Sequence, residues 1–162
     1  PTEHTVFPGV FAKGKLDPAT QLLLETLPTP DKPMRVLDYA CGAGVIGGWM
    51  LRHHADIELT QLDADAVSAK AAAINVPQAH TIVGASLDEL PDPREPFDCI
   101  VSNPPIHIGK SRDYGVLRHL ITGGRAHLRP RGSLWLVVQR TISCLLRQEN
   151  YSDGAERLSQ SK

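Results

Sequence analysis

The sequence predicts a single α/β domain built on a doubly wound, mainly parallel β-sheet. Short apolar runs alternate with helical patterns along the chain, the order of elements that gives parallel strands joined by helices. The first run ends in the glycine turn Cys41-Gly42-Ala43-Gly44, and the fourth ends at Asn103-Pro104-Pro105. A chain of 162 residues is long enough for one such domain with a buried core.

Each element follows from a local pattern. Asp17 and Pro18 supply an N-cap and a first-turn proline, and the helix that they start must end before Pro28. Apolar runs predict strands at 34–39, 57–62, 80–83 and 99–102, and a fifth strand at 134–138 after the turn 129–132. Helical spacing predicts helices after the glycine turn, over the alanine-rich stretch 64–74, and from Val116 to Leu128.

The pattern weakens toward the C-terminus. Residues 1–147 are predicted to form the folded domain, whereas residues 148–162 are polar and predicted to be a flexible tail. No apolar run approaches the ~20 residues of a membrane helix and no signal-peptide pattern is present, so we expect a soluble cytoplasmic protein without a membrane partner. The three cysteines lie far apart and no HExxH motif occurs, so neither a disulfide framework nor a metal site is predicted.

Charge is distributed unevenly along a chain whose net charge is −1. Residues 1–109 carry 7 basic and 14 acidic side chains (net −7), whereas residues 110–162 carry 10 and 4 (net +6). A basic second part favours an anionic partner such as a nucleic acid. Lys110 and Arg112, with four further arginines up to Arg131, could contact phosphates, and a solvated helix face explains the same charges equally well.

The glycine turn and two acidic residues suggest a cofactor site. Glycines between a first strand and a helix let a ligand approach the backbone, and an acidic residue that ends the second strand can hydrogen-bond a ribose. Asp38, Gly42, Gly44 and Asp63 fit these roles. The turn lacks the GxGxxG spacing of a dinucleotide site, so a nicotinamide dehydrogenase is disfavoured. Glycines that serve only tight packing remain the alternative.

The Asn103-Pro104-Pro105 corner is the more specific motif. In a doubly wound sheet the first and fourth strands flank the topological switch point, so the loops that follow them face one crevice. The Asn103 amide oxygen and the Pro104 carbonyl could both accept hydrogen bonds from an exocyclic amino group and orient its nitrogen lone pair. A turn that merely closes a strand is the simpler interpretation, but it does not explain the position opposite the glycine loop.

Together these motifs resemble class I S-adenosylmethionine-dependent methyltransferases of the small-domain type, most of all the enzymes that methylate guanine N2 in small-subunit ribosomal RNA. The resemblance covers roughly residues 7–140 and depends on the order and spacing of five segments. These segments are Phe7 to Phe11, Leu16-Asp17, Val36 to Val45, Leu59 to Asp63 and Ile100 to His107.

The resemblance implies a Rossmann-like fold, S-adenosyl-L-methionine as cofactor and ribosomal RNA or the small ribosomal subunit as partner. It assigns the cofactor contacts to Asp38, Cys41, Gly42, Gly44, Asp63, Ala85, Ser86 and Asn103. It also implies that Asn103, Pro104 and Pro105 form the catalytic corner, that the loop containing Phe11 covers cofactor and substrate, and that Ile106 borders the target base.

The chain departs from the family pattern at three places. Ala40 replaces the usual glycine two residues after Asp38, and Ile106 replaces an aromatic residue that stacks on the base. The family's closing antiparallel hairpin is not evident after Arg140. Without that hairpin the fifth strand would be an exposed edge, so we expect self-association through it as a homodimer.

Three functions remain open at this stage. The first is methylation of a guanine amine in ribosomal RNA, and the second is methylation of another planar amine, such as a protein glutamine or a small molecule. The third is a catalytically degenerate module that binds cofactor or RNA. Methyl transfer to RNA, to another amine, or to neither distinguishes them.

Overall fold

The computed structural model describes residues 17–27, 32–54, 56–90, 95–105 and 115–138, which contain four helices and five strands. The helices are α1 (Pro18–Thr26), α2 (Val45–His53), α3 (Ala66–Asn75) and α4 (Gly115–Gly124). The strands are β1 (Met34–Tyr39), β2 (Ile57–Asp63), β3 (His80–Val83), β4 (Phe97–Ser102) and β5 (Leu128–Leu136). The predicted alternation of strands and helices is confirmed.

The five strands form one parallel sheet in the order β3-β2-β1-β4-β5. The chain steps outward from β1 to β3 and then returns to β4, on the other side of β1. This reversal is the topological switch point, so the carboxyl ends of β1 and β4 are neighbours, as the sequence predicted.

Each face of the sheet supports its own core. Adjacent residues of a strand point to opposite faces, so Val36 packs against α1 and α2 whereas Leu37 packs on the side of α4. The first core contains Leu23 from α1 and Met50 from α2, and the second contains Leu120 from α4. Helices therefore cover both faces, as a parallel sheet requires.

Several predicted boundaries were wrong. The helix predicted from Val116 to Leu128 ends at Gly124, and Leu128 already belongs to β5. The fifth strand begins at Leu128 rather than Leu134, and the predicted turn 129–132 lies within it as an irregularity. Phe97 pairs with Leu128 and Cys99 pairs with Ser133, so β5 contains more residues than β4 between these two pairs. The extra residues of β5 form a bulge. The alanine-rich helix begins at Ala66, because the Asp65 side chain accepts hydrogen bonds from the N–H groups of the first turn.

Several predicted features lie outside the described residues. They are the loop with Phe11, the substrate residues Ile106, Lys110 and Arg112, the closing hairpin and the tail 148–162. Within the described ranges, no helix is long and apolar enough to cross a membrane.

Candidate functional site

The loop after β1 contains three residues in the left-handed backbone region. Ala40 has φ 56°, Gly42 has φ 56° and Gly44 has φ 76°. A Cβ on Gly44 would lie 2.8 Å from Gln61 Nε2, so this glycine serves packing against β2 and α3. A Cβ on Gly42 would meet nothing within 4 Å. The packing interpretation therefore holds for Gly44, whereas Gly42 leaves its backbone open to a ligand.

Asp63, at the end of β2, holds this loop in place. Its Oδ2 accepts a hydrogen bond from the Gly42 N–H at 2.8 Å, and its Oδ1 accepts one from the Asp65 N–H at 2.9 Å. Partial burial raises the pKa of the Asp63 carboxyl, and these two hydrogen bonds oppose that shift. Each carboxylate oxygen keeps a second lone pair, so Asp63 can still accept hydrogen bonds from a ligand.

Asp38 lies beneath the loop and is fully buried. Its Oδ2 accepts a hydrogen bond from the Gly47 N–H at 2.9 Å. Burial raises the pKa of Asp38 to about 7, and the negative charge of Asp63 adds to the rise. The side-chain amide of Gln61, also fully buried, opposes part of this rise in the pKa of Asp38 by hydrogen bonding, so Asp38 belongs to the packed base of the glycine turn.

Cys41 is also buried in this turn, and burial raises the pKa of its thiol. The thiol is therefore neutral at physiological pH and acts as a small apolar group. Its backbone N–H donates to the Leu62 carbonyl at 3.1 Å, which joins the turn to the end of β2.

The Asn103-Pro104-Pro105 corner lies directly beside the end of β1. The Ser102 hydroxyl donates a hydrogen bond to the Tyr39 carbonyl at 2.6 Å and is fully buried. Pro104 is buried and Pro105 is exposed, so the corner is packed against the domain at Pro104 and reaches the surface at Pro105. The structure therefore brings together the two motifs that the sequence placed at one crevice.

The Asn103 amide is held from the side of α1. Its Nδ2 donates to Thr20 Oγ1 at 2.9 Å and to Asp17 Oδ2 at 3.3 Å. Among the described residues, none donates a hydrogen bond to Asn103 Oδ1, whereas both described partners bind Nδ2. The sequence identified Asp17 as a helix cap, but its contact with Asn103 spans 86 positions of chain and had no local signal.

The third side of the site is the loop after β3. The Tyr39 hydroxyl donates to the Ala85 carbonyl at 2.9 Å, which ties this loop to the end of β1. Glu89 Oε1 accepts from the Ala85 and Ser86 N–H groups at 2.8 and 2.9 Å. A ligand at this loop would therefore meet the exposed Ala85 methyl group rather than the two N–H groups. The Ser86 hydroxyl is itself engaged, since it donates to Asp88 Oδ2 at 3.1 Å and accepts from the Asp88 N–H at 3.2 Å.

Residues from separate elements thus meet around one crevice. The predicted site residues that the structure describes lie at the ends of β1, β2 and β4 and in the loop after β3. Asp38 and Cys41 are buried, so they lie beneath the surface of the crevice. Sequence reasoning missed the roles of Thr20, Tyr39 and Glu89, which act through hydrogen bonds between elements. His119 of α4, whose Nε2 lies 3.2 Å from the Ser86 hydroxyl, was missed as well.

A separate cavity of about 240 Å³ lies near the amino ends of the strands, between residues such as Arg35, Glu58 and His80. Arg35 is already paired there with Glu58 at 3.2 Å and with Glu95 at 3.0 Å. This cavity lies away from the residues predicted to carry chemistry. No cluster of three potential metal ligands occurs within the described residues.

Comparison with known proteins gives a family. The sequence profile of the family described as Methyltransferase small domain matches residues 3–150. Ribosomal RNA small subunit methyltransferase C of Chromohalobacter salexigens is 42% identical over 135 residues, 80% of this chain and 40% of that protein. The protein of the same name from Psychromonas ingrahamii is 35% identical over 139 residues, 84% of this chain and 39% of that protein. The chain spans about two fifths of the length of these relatives.

A solved structure agrees with this match. The 16S rRNA N2 G1207 methyltransferase of T. thermophilus, in complex with AdoMet and guanosine, is 31% identical with a TM-score of 0.69. The alignment covers 80% of this chain and 36% of that one. The predicted Rossmann-like fold of the class I methyltransferase type is confirmed.

Proposed function

The chain belongs to the methyltransferase small-domain family, and on this premise we propose that it methylates the exocyclic N2 amine of a guanine in small-subunit ribosomal RNA. The methyl donor is S-adenosyl-L-methionine. The names of the relatives and the guanosine in the related T. thermophilus complex support this substrate class over another planar amine. The catalytic unit comprises residues 1–147, with 148–162 as an appended tail.

The glycine turn and the two acidic residues suit this cofactor. Gly42 leaves backbone open where a Cβ would meet nothing, and Asp63 has lone pairs for the two ribose hydroxyls. Asp38 is fully buried, so it would act from beneath the turn, by holding the Gly47 N–H at 2.9 Å. Bound S-adenosylmethionine would supply an electrophilic methyl group on a positively charged sulfur, and nearby carboxylates favour a cation.

The Asn103-Pro104 corner suits an amine acceptor. A guanine N2 amine has two N–H groups, which can donate to Asn103 Oδ1 and to the Pro104 carbonyl. With both N–H groups held, the nitrogen lone pair is directed out of the plane toward the methyl group. The residues contribute alignment. As the N–C bond forms, the methyl–sulfur bond would break with its electron pair going to the positively charged sulfur, which needs no general acid, and the amine releases one of its two protons to solvent.

The observation that carries the proposal is the hydrogen bond of 2.6 Å from the Ser102 hydroxyl to the Tyr39 carbonyl. It holds the Asn103-Pro104-Pro105 corner, at the end of β4, beside the end of β1, where the glycine turn begins. A dehydrogenase has no use for an amine-orienting corner at that position. A methyltransferase needs both at one crevice, since donor and acceptor atoms must be in line.

The test is methyl transfer from labelled S-adenosylmethionine to guanosine, 16S rRNA and isolated small subunits. Digestion and mass spectrometry of the nucleosides should reveal N2-methylguanosine. Asn103→Ala should reduce turnover at least about 100-fold while changing the cofactor dissociation constant only a few-fold. The exposed Gln21→Ala on α1 is the control and should match the parent chain.

Other outcomes separate the alternatives. Methyl transfer to a glutamine peptide but to no guanine acceptor would overturn the proposed substrate. Cofactor binding without transfer to any amine would indicate a degenerate binding module. Equal loss of turnover and cofactor affinity in Asn103→Ala would show that the residue serves the cofactor instead.

The RNA-binding part of the proposal depends on basic residues near α4 and β5. Arg129 is already paired with Asp98 at 2.8 Å, so its charge is partly neutralised within the domain. Arg125 and Arg131 are exposed, but they lie near the amino end of β5, at the edge of the sheet opposite the crevice, so they could contact only phosphates remote from the target base. RNA affinity that falls steeply with salt, and less steeply in Arg125→Gln, is the expected result, and cytoplasmic ribosomal RNA is the expected target.

We also propose that the chain self-associates through β5, giving a homodimer. Within the described residues β5 pairs with β4 on one side only, which leaves a strand edge open. Light scattering coupled to size-exclusion chromatography should show a mass that rises toward twice 17.6 kDa with concentration. A constant monomer mass over the whole concentration range would contradict this expectation.

A further inference from the structure

The amide of Asn103 can bind its neighbours in only one of its two orientations. Thr20 is 5% exposed, and its hydroxyl donates its single hydrogen to Asp17 Oδ2. Thr20 Oγ1 then has only lone pairs left for Asn103, whose Nδ2 lies 2.9 Å away, and Asp17 Oδ2 is the second partner at 3.3 Å. An ionised carboxylate is likewise acceptor-only. Both partners of Asn103 therefore require its NH₂ group.

The same Asp17 carboxylate also starts α1. Its Oδ1 accepts from the Ala19 and Thr20 N–H groups at 3.0 and 3.1 Å, which caps the helix. One oxygen thus anchors the helix, and the other holds the Thr20 hydroxyl and the Asn103 amide. The position of the acceptor corner is therefore tied to the amino end of α1.

We propose that Asp17 and Thr20 are positioning residues that lock the Asn103 amide with Oδ1 directed at the acceptor amine. A rotated amide would turn its NH₂ group toward the amine, so two donors would face each other, and Oδ1 would face two acceptors. This inference rests on the proposed function, since the orientation matters for an N–H-bearing acceptor. It adds the N-cap of α1 and one residue of its first turn to the machinery that prepares the acceptor.

The kinetic test uses Thr20→Val, which keeps the shape of the side chain and removes the hydroxyl. We expect kcat for guanosine methylation to fall about tenfold, the effect of losing one orienting hydrogen bond, with KM for S-adenosylmethionine unchanged. Thr20→Ser should restore kcat. Thr26→Val is the matched control, because the Thr26 hydroxyl donates to the Leu22 carbonyl on the same helix and, among the described residues, does not contact Asn103.

A spectroscopic test does not depend on turnover. The side-chain NH₂ signals of Asn103, identified by their loss in Asn103→Ala, should shift and exchange faster with water in Thr20→Val but not in Thr26→Val. Unchanged NH₂ signals, or a kcat equal to that of the parent chain, would overturn the positioning role. If the signals shift but the parent chain methylates no guanine acceptor, the orientation of the Asn103 amide by Thr20 would be supported and the proposed function would be rejected.

Discussion

The Gly42 N–H donates a hydrogen bond of 2.8 Å to Asp63 Oδ2, which joins the turn after β1 to the end of β2. The bond spans 21 positions of chain and fixes the open part of the turn beside a carboxylate with free lone pairs. A ligand that lies over Gly42 therefore has the Asp63 carboxylate as its immediate neighbour. This places a backbone surface and a hydroxyl-binding group in one small site.

Asp63→Ala should weaken S-adenosylmethionine and S-adenosylhomocysteine binding by about 10- to 100-fold, because a carboxylate bonded to ribose hydroxyls contributes charge-assisted hydrogen bonds. Isothermal titration measures both affinities. Asp65→Asn is the control, since asparagine caps α3 as well as aspartate does and should leave affinity within about twofold. Equal affinity of the parent chain and Asp63→Ala would remove Asp63 from the cofactor site.

Ala40→Gly should stabilise the folded chain by roughly 0.5–1 kcal/mol. Ala40 has φ 56°, where a side chain with a Cβ is strained and glycine is not. The greater freedom of glycine in the unfolded state offsets part of the gain. Urea unfolding measures the difference. Ala73→Gly, at an exposed position within α3, should instead destabilise by about 1 kcal/mol, and a similar loss in both variants would contradict the strain at Ala40.

Much of the fold could be predicted because its signals are local. The bounds of β1 and β3 agree with their apolar runs, and the cap at Asp17 starts α1 as expected. The position of β5 could not be predicted, because its first residues Arg129 and Pro130 have a turn composition and enter the sheet only through a bulge against β4.

The site was predictable to the same extent. The glycine turn, Asp63 and the Asn103 corner each carry a sequence motif, so their meeting follows from the strand order. The contacts that orient these motifs do not follow from the strand order. Thr20 and Glu89 act on residues of other segments through single hydrogen bonds, and no residue spacing indicates such a partner. The left-handed conformation of Ala40 had one signal, the glycine that the family pattern has at this position, while alanine itself does not indicate it.

Ile106→Phe should increase activity toward RNA. The family pattern has an aromatic residue at this position, and stacking of a base on an aromatic ring contributes about 1–3 kcal/mol. The expected result is a KM for guanosine or RNA that falls about fivefold or more. Ile106→Leu, which adds no ring, is the control. An unchanged KM in Ile106→Phe would mean that the target base does not lie against this side chain.

The buried Asp38 makes stability depend on pH. Burial raises its pKa from 3.8 to about 7, so between these values the folded chain holds a proton that the unfolded chain has released. The free energy of unfolding therefore decreases as pH rises through this range. Asp38 alone should account for a loss of roughly 2–3 kcal/mol between pH 5 and pH 8.

Asp38→Asn should remove that part of the pH dependence. Asparagine can still accept from the Gly47 N–H, and it cannot ionise, so the variant should gain stability over the parent chain as pH rises from 5 to 8. Urea unfolding at several pH values measures the two curves, with the exposed Asp56→Asn as the control. Curves of the parent chain and Asp38→Asn that stay parallel from pH 5 to pH 8 would show that Asp38 is ionised throughout, and its charge would then need a buried partner.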